Sequence, residues 1–84
     1  MTHQTTPKPD VPAEIRAELA RRGWSVRDLA EKASEHTAKP LSFVTLYRRL
    51  GGDGKLTIPE LSAIAAAFGI SVSALIARAE DVAA

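Results

Sequence analysis

Residues 56–76 read LTIPELSAIAAAFGISVSALI and carry the start and stop signals of two consecutive helices. Thr57 followed three residues later by Glu60, with a proline between them, is typical of a helix N-terminus closed by a capping box. Gly69 is typical of a helix end, and Ser71 supplies the next N-cap. Because the apolar residues between these signals recur at helical spacing and never alternate as in a strand, the stretch predicts two helices.

The chain before this stretch predicts three more helices. Residues 12–22 begin with a proline suited to a first helical turn and end before a glycine. Ser25 opens a second helix that runs to about Ser34. Ser42 caps a third helix, predicted over residues 42–50, which the following glycines end.

We therefore expect one all-α domain of five helices over residues 12–84. Residues 1–11 are rich in threonine and proline, show no periodicity and predict a flexible arm. Apolar positions at helical spacing predict the core. The predicted core residues are Ile15, Leu19, Trp24, Leu29, Leu46, Leu50, Leu61, Ile64, Phe68 and Leu75.

Composition excludes several classes of function. A chain of 84 residues builds one modest core, so we expect neither an enzyme nor a small-molecule substrate. There is no cysteine, and the two histidines, His3 and His36, lack ligand spacing, so no metal or other cofactor is expected. No apolar run reaches the roughly 18 residues that span a bilayer, and no leader pattern is present, so we expect a cytoplasmic protein without a membrane partner.

Charge is unevenly distributed, although the net charge is only +1. Residues 36–56 contain four basic residues and one acidic residue, which gives +3. Residues 57–84 contain one basic and three acidic residues, which gives −2. Such an asymmetry can orient a small domain on a polyanion.

The predicted third helix separates two faces at about 100° per residue. The face expected to point into the core holds Phe43, Leu46, Tyr47 and Leu50. The opposite face holds Val44, Thr45, Arg48 and Arg49. Arginine can bridge O6 and N7 of guanine or bind phosphate, and the methyl groups of valine and threonine can contact a thymine methyl group, so the outer face predicts binding in a DNA major groove. The alternative is a solvated helix face without a partner.

Residues around this helix are candidate phosphate ligands. Ser42 begins a helix whose free amide groups can accept a phosphate. Lys39 and Lys55 flank the helix and could neutralise phosphates, although exposed lysines also serve solubility alone. Arg49 is expected to act mainly on phosphate, whereas Arg48 could contact either a base or a phosphate.

The segments GWSVRDLAEKAS, SFVTLYRRLGG and LTIPELSAIAAAFGISVSALI together resemble the Cro and lambda-repressor type of helix-turn-helix domain, over residues 15–76. The resemblance implies a dimeric DNA-binding protein whose second motif helix, here residues 42–50, lies in the major groove. The connection at residues 35–41 is longer than is usual in the family. Val26 stands where many members have a phosphate-binding glutamine, which leaves Arg27 as a substitute phosphate ligand or as an ion-pair partner of Glu31.

Two functions fit these features of the sequence. The first is a sequence-specific regulator that binds double-stranded DNA, such as a phage-type repressor or a Cro-like protein, acting as a weak homodimer through Val72 and Ile76. These two residues could instead complete the monomer core. The second function is a protein-interaction module on the same scaffold, such as an antitoxin or an adaptor.

Overall fold

The computed structural model describes residues 10–52 and 55–83, except for the side chains of residues 82 and 83. The predicted arm therefore lies outside the described residues up to residue 9. The helices are α1 (Val11–Arg22), α2 (Val26–Ser34), α3 (Phe43–Leu50), α4 (Ile58–Phe68) and α5 (Val72–Ala83). No strand occurs in the described ranges, so the prediction of five helices in an all-α fold is confirmed.

Local capping signals set where the helices begin. The Ser25 hydroxyl accepts from the Asp28 amide at 3.0 Å, and the Asp28 carboxylate accepts from the Ser25 amide at 2.9 Å. The same reciprocal pair joins Thr57 and Glu60. The hydrogen bonds from the Ser25 amide and hydroxyl lower the pKa of Asp28. Both predicted capping boxes are confirmed, because each needs only residues three apart in the chain.

The first helix begins one residue earlier than the sequence predicted. Asp10 is the N-cap of α1, and its carboxylate accepts from the Ala13 amide at 3.0 Å. Val11 is therefore helical, and the predicted arm extended too far. Asp is among the preferred N-cap residues, and the following proline is tolerated anywhere in the first turn.

The core lies where α1, α2 and α4 meet the inward faces of α3 and α5. The contacts join α2 to α3 and α4, α1 to α3 and α5, and α4 to α5. Every predicted core residue is buried except Trp24, which is half-buried and packs against the cluster. The core also contains five alanines, and all but Ala63 lie at positions that the helical spacing of apolar residues predicts. These are Ala30, Ala33, Ala63, Ala65 and Ala79.

Tyr47 was wrongly predicted to face the core. Its side chain is 62% exposed, whereas Leu46 and Leu50 are buried. The buried direction of α3 lies between these two leucines, and Tyr47 is about 80° away from it at 100° per residue. The predicted apolar face was therefore wider than the face of α3 that is buried.

No single helix of the described residues is long and apolar enough to cross a membrane. The segments Ile58–Phe68 and Val72–Asp81 reach that length and apolarity only in combination, and they are bent by 88° relative to each other.

Candidate functional site

The exposed face of α3 carries three side chains in one row, which we call the outer stripe: Val44, Tyr47 and Arg48. Val44 is 59% exposed and Tyr47 is 62% exposed, and Arg48 is also exposed. Their spacing of three and four residues places them on one side of a helix. The outer stripe therefore presents two apolar groups and one guanidinium group to the surroundings.

The start of α3 is fixed by Ser42, as predicted. The Ser42 hydroxyl accepts from the Thr45 amide at 3.0 Å and donates to the Thr45 hydroxyl, also at 3.0 Å. Thr45 is half-buried, and its hydroxyl is engaged within the protein. At the other end of α3, the Arg16 guanidinium donates to the Leu50 carbonyl, which ties the helix end to α1.

Arg49 lies on the side of α3 that faces α4, and it is not part of the outer stripe. Its Nε lies 2.9 Å from Oε1 of Glu60, although this Nε makes no aligned hydrogen bond. Glu60 also accepts from the Thr57 amide, so it is fixed by the capping box of α4. The sequence grouped Arg49 with Arg48, but docking of α4 brings a carboxylate to Arg49 alone.

Arg27 stacks on an aromatic ring and does not pair with Glu31 in the described residues. Its guanidinium carbon lies 4.5 Å from the centre of the Phe43 ring. No ion pair joins Arg27 to Glu31 within the part of the chain that the structure describes, so that alternative is wrong. The Phe43 ring in turn meets Tyr47 at 6.0 Å between centroids and an interplanar angle of 60°. A row of Arg27, Phe43 and Tyr47 thus connects α2 to the outer stripe.

A serine hydroxyl joins the two ends of the long connection between α2 and α3. The Ser34 hydroxyl accepts from the Leu41 amide at 2.9 Å and donates to the Ala30 carbonyl at 2.7 Å. Leu41 is half-buried and packs against the core. The first residues of α3 are therefore held beside the last turn of α2 in spite of the length of residues 35–42.

The two predicted lysine ligands lie in exposed segments beside α3. Lys39 lines a groove between α3 and α4, together with Ser42, Thr45 and Arg49. Lys55 is exposed in the segment that leads into α4. Lys39 therefore lies beside the residues of α3 that line this groove, whereas Lys55 does not line it.

Val72 and Ile76, the candidate dimer residues, are half-buried. Both pack against the core cluster, as in the alternative in which they complete the monomer. The large apolar side chains that are exposed in the described residues are Val44, Tyr47 and Ile58. The homodimer stays a prediction.

A buried acidic cluster on α1 was missed by the sequence analysis. Glu14 and Glu18 are 1% and 7% exposed. Arg21 contacts Glu14 at 2.5 Å and Glu18 at 2.8 Å, and Arg22 contacts Glu18 at 2.6 Å. The hydrogen bond from Arg22 lowers the pKa of Glu18 by more than burial raises it. The spacings of three, four and seven residues were a usable signal for these pairs.

Arg78 of α5 completes this cluster at 3.5 Å from Glu18. The cluster therefore links α5 to α1, and it shares no residue with the outer stripe. In the described residues, no group of three or more histidine, aspartate and glutamate side chains is arranged to hold a metal ion.

Comparison with known proteins gives no match: no family model, no curated protein and no solved structure is significantly similar to this chain.

Proposed function

We propose that this chain is a cytoplasmic, sequence-specific regulator that binds double-stranded DNA, of the phage-repressor or Cro-like kind. In this proposal α2 and α3 form a helix-turn-helix of the lambda-repressor type, and α3 lies in the major groove. The observation that carries the proposal is the outer stripe, in which Val44, Tyr47 and Arg48 project from a short helix that is anchored at both ends.

The charges around α3 support the same partner. Arg27, Lys39, Arg48 and Lys55 are all exposed. Glu60, on the neighbouring α4, is already paired with Arg49. These exposed cations are therefore suited to phosphates on either side of a groove-bound helix. Arg49 is expected to be a weaker phosphate ligand than Arg48, because binding DNA would compete with its ion pair.

A second candidate function is a protein-interaction module. Val44, Tyr47 and Ile58 are large apolar side chains that remain exposed, and tyrosine and arginine are enriched at protein interfaces. Such an interface depends little on salt, whereas binding to DNA releases counterions and weakens steeply with salt. Salt dependence therefore separates the two functions.

The first test uses the duplex enriched by selection from random duplexes, together with an unrelated duplex. Lys39→Ala combined with Lys55→Ala is expected to reduce the slope of log affinity against log salt by about two, since each lost phosphate contact removes about 0.9. Affinity should fall by a similar factor on both duplexes, because phosphate contacts do not depend on sequence. Fluorescence polarisation at several salt concentrations measures both quantities.

Lys32→Ala is the matched control, because Lys32 is exposed on α2 and lies 4.9 Å from the Trp24 ring, on the side of α2 away from Arg27. It should leave the slope unchanged. Binding that is insensitive to salt, or an equal response to both changes, would favour the protein-interaction module.

The second test concerns assembly, which we propose to be a weak homodimer on DNA. One helix of this length contacts few base pairs, and a twofold dimer would contact two half-sites about one helical turn apart. Sedimentation of the protein with the selected duplex is expected to give two protomers for each duplex at saturation. One protomer for each duplex, with a single half-site in the selected sequence, would contradict the dimer.

A further inference from the structure

The outer stripe places an apolar ridge directly beside one guanidinium group. Val44 lies one turn before Arg48, and Tyr47 directly precedes Arg48 in the chain. At 59% and 62% exposure, Val44 and Tyr47 offer their side chains to a partner while Leu46 and Leu50 hold the helix in the core. The outer stripe therefore presents a small apolar surface next to a guanidinium group that can donate two parallel hydrogen bonds.

The Tyr47 ring packs against a second aromatic ring within the protein. Phe43 meets it at 6.0 Å between ring centroids, and the Arg27 guanidinium covers Phe43 at 4.5 Å. A side chain that is already ordered loses less conformational entropy when it binds. Tyr47 is thus suited to a specific contact with a base as well as to general contact with DNA.

Two other polar side chains of α3, Thr45 and Arg49, already make contacts inside the protein. The Thr45 hydroxyl accepts from Ser42, and Arg49 is paired with Glu60. Sequence preference is therefore expected to come from the outer stripe. This differs from the expectation that Val44 and Thr45 together contact the base edges.

The major groove offers one pair of neighbouring features that fits the stripe. Thymine presents a C5-methyl group, and guanine presents O6 and N7, which an arginine can bind with two hydrogen bonds. Neighbouring bases on one strand are about 3.4 Å apart, and residues four apart on a helix are separated by about 6 Å along its axis. The long Arg48 side chain spans the difference.

We propose that the outer stripe recognises a thymine and a guanine on adjacent base pairs, with Arg48 bound to O6 and N7 of the guanine and with Val44 and the Tyr47 ring packed on the thymine methyl group. This proposal rests on the DNA-binding function proposed above. Tyr47 and Val44 are then specificity-determining residues, and Phe43 and Arg27 position Tyr47.

The test removes single groups from the DNA. In the duplex enriched from random sequences, each thymine is replaced in turn by deoxyuridine, which lacks only the methyl group. One thymine in each half-site is expected to show a loss of about fourfold in affinity, the value of one buried methyl group. Replacement of the adjacent guanine by 7-deazaguanine, which lacks the N7 acceptor, is expected to cost on the order of tenfold.

Protein variants then assign each effect to a side chain. In Val44→Ala and in Tyr47→Ala the uracil effect should shrink to below about twofold, because the methyl group has lost its contact. In Tyr47→Phe it should persist, because the ring makes the contact. In Arg48→Ala the 7-deazaguanine effect should disappear while the uracil effect remains. Ser62→Ala, on the exposed side of α4, is the matched control and should retain both effects.

The outcomes distinguish failure of the DNA-binding function from failure of the proposed recognition of thymine and guanine. If no duplex is enriched and no salt-dependent binding is found, both the DNA-binding function and this readout are overturned. If DNA is bound but no thymine responds to uracil, or if the response is the same in Val44→Ala and Tyr47→Ala as in the parent, the readout alone is overturned. A Tyr47→Phe variant that loses the uracil effect would also overturn the ring contact.

Discussion

Replacement of Glu18 by alanine is expected to lower the free energy of unfolding by about 2 to 4 kcal/mol at pH 7, since hydrogen bonds to a charged group contribute about 1.5 to 3 kcal/mol each. Glu18 is 7% exposed and receives contacts from Arg21 at 2.8 Å and Arg22 at 2.6 Å. The arginines can turn to water when the carboxylate is removed, so the loss is smaller than the full sum of the contacts. Urea denaturation followed by circular dichroism measures it.

The effect should depend on pH. The hydrogen bond from Arg22 lowers the pKa of Glu18 in the folded protein. The stabilisation is therefore fully present above the unfolded pKa of about 4.3 and is lost as the pH falls through the lowered folded pKa. The difference between the parent and the Glu18→Ala variant should therefore shrink as the pH is lowered below about 5.

Glu31→Ala is the control, because Glu31 is exposed on α2 and makes no ion pair in the described part of the chain. It should change the free energy of unfolding by less than about 0.5 kcal/mol. Equal losses in the two variants at pH 7 would show that the buried cluster does not stabilise the fold. A Glu18 effect that is the same at all pH values would show that the charge of the carboxylate does not contribute.

The features that the sequence predicted well are those decided within a few residues. The pairs Ser25 with Asp28 and Thr57 with Glu60 form their capping boxes as expected, because both partners lie in the same helical turn. Gly69 ends α4 with a φ of 75°, a conformation that costs glycine little. The number of helices and the starts of α2 and α4 could therefore be predicted before any tertiary contact was known.

The features that the sequence predicted poorly depend on how helices dock. Arg49 and Glu60 are eleven residues apart, and only the docking of α3 and α4 on α2 brings them within 2.9 Å. Likewise, Arg27 meets Phe43 across the α2 and α3 contact. Both contacts change the candidate site: one pairs Arg49 with a carboxylate, and the other covers the ring that packs against Tyr47.

The sequence predicted the position of the candidate site, and the structure refined its composition. Val44 and Arg48 were expected on the outer face of α3, and both are exposed. Tyr47 joins them because the buried sector of an eight-residue helix is narrow and is filled by Leu46 and Leu50. A helical wheel gives the angle of each residue but not the width of the sector that its neighbours cover.

Replacement of Phe68 by alanine is expected to lower the free energy of unfolding by about 3 to 5 kcal/mol, because it removes a buried ring from the core. Phe68 is 3% exposed, and its ring lies 5.7 Å from that of Trp24. Arg22 covers both rings and donates to the Phe68 carbonyl at 2.8 Å. The ring thus joins the ends of α1 and α4 to the start of α2, and a domain of this size has little stability beyond such a loss.

Phe68→Leu separates the loss of buried apolar volume from the loss of the aromatic pair. Leucine keeps most of the apolar volume and loses mainly the aromatic pair, so the expected loss is about 0.5 to 1.5 kcal/mol. Trp24 is the only tryptophan of the chain, and its fluorescence reports this contact directly during urea denaturation. If Phe68→Ala unfolds cooperatively near the parent midpoint, the ends of α1 and α4 are not held together through this ring. If Phe68→Leu costs as much as Phe68→Ala, the stacking geometry contributes more than the filled volume, because leucine fills the site and alanine does not.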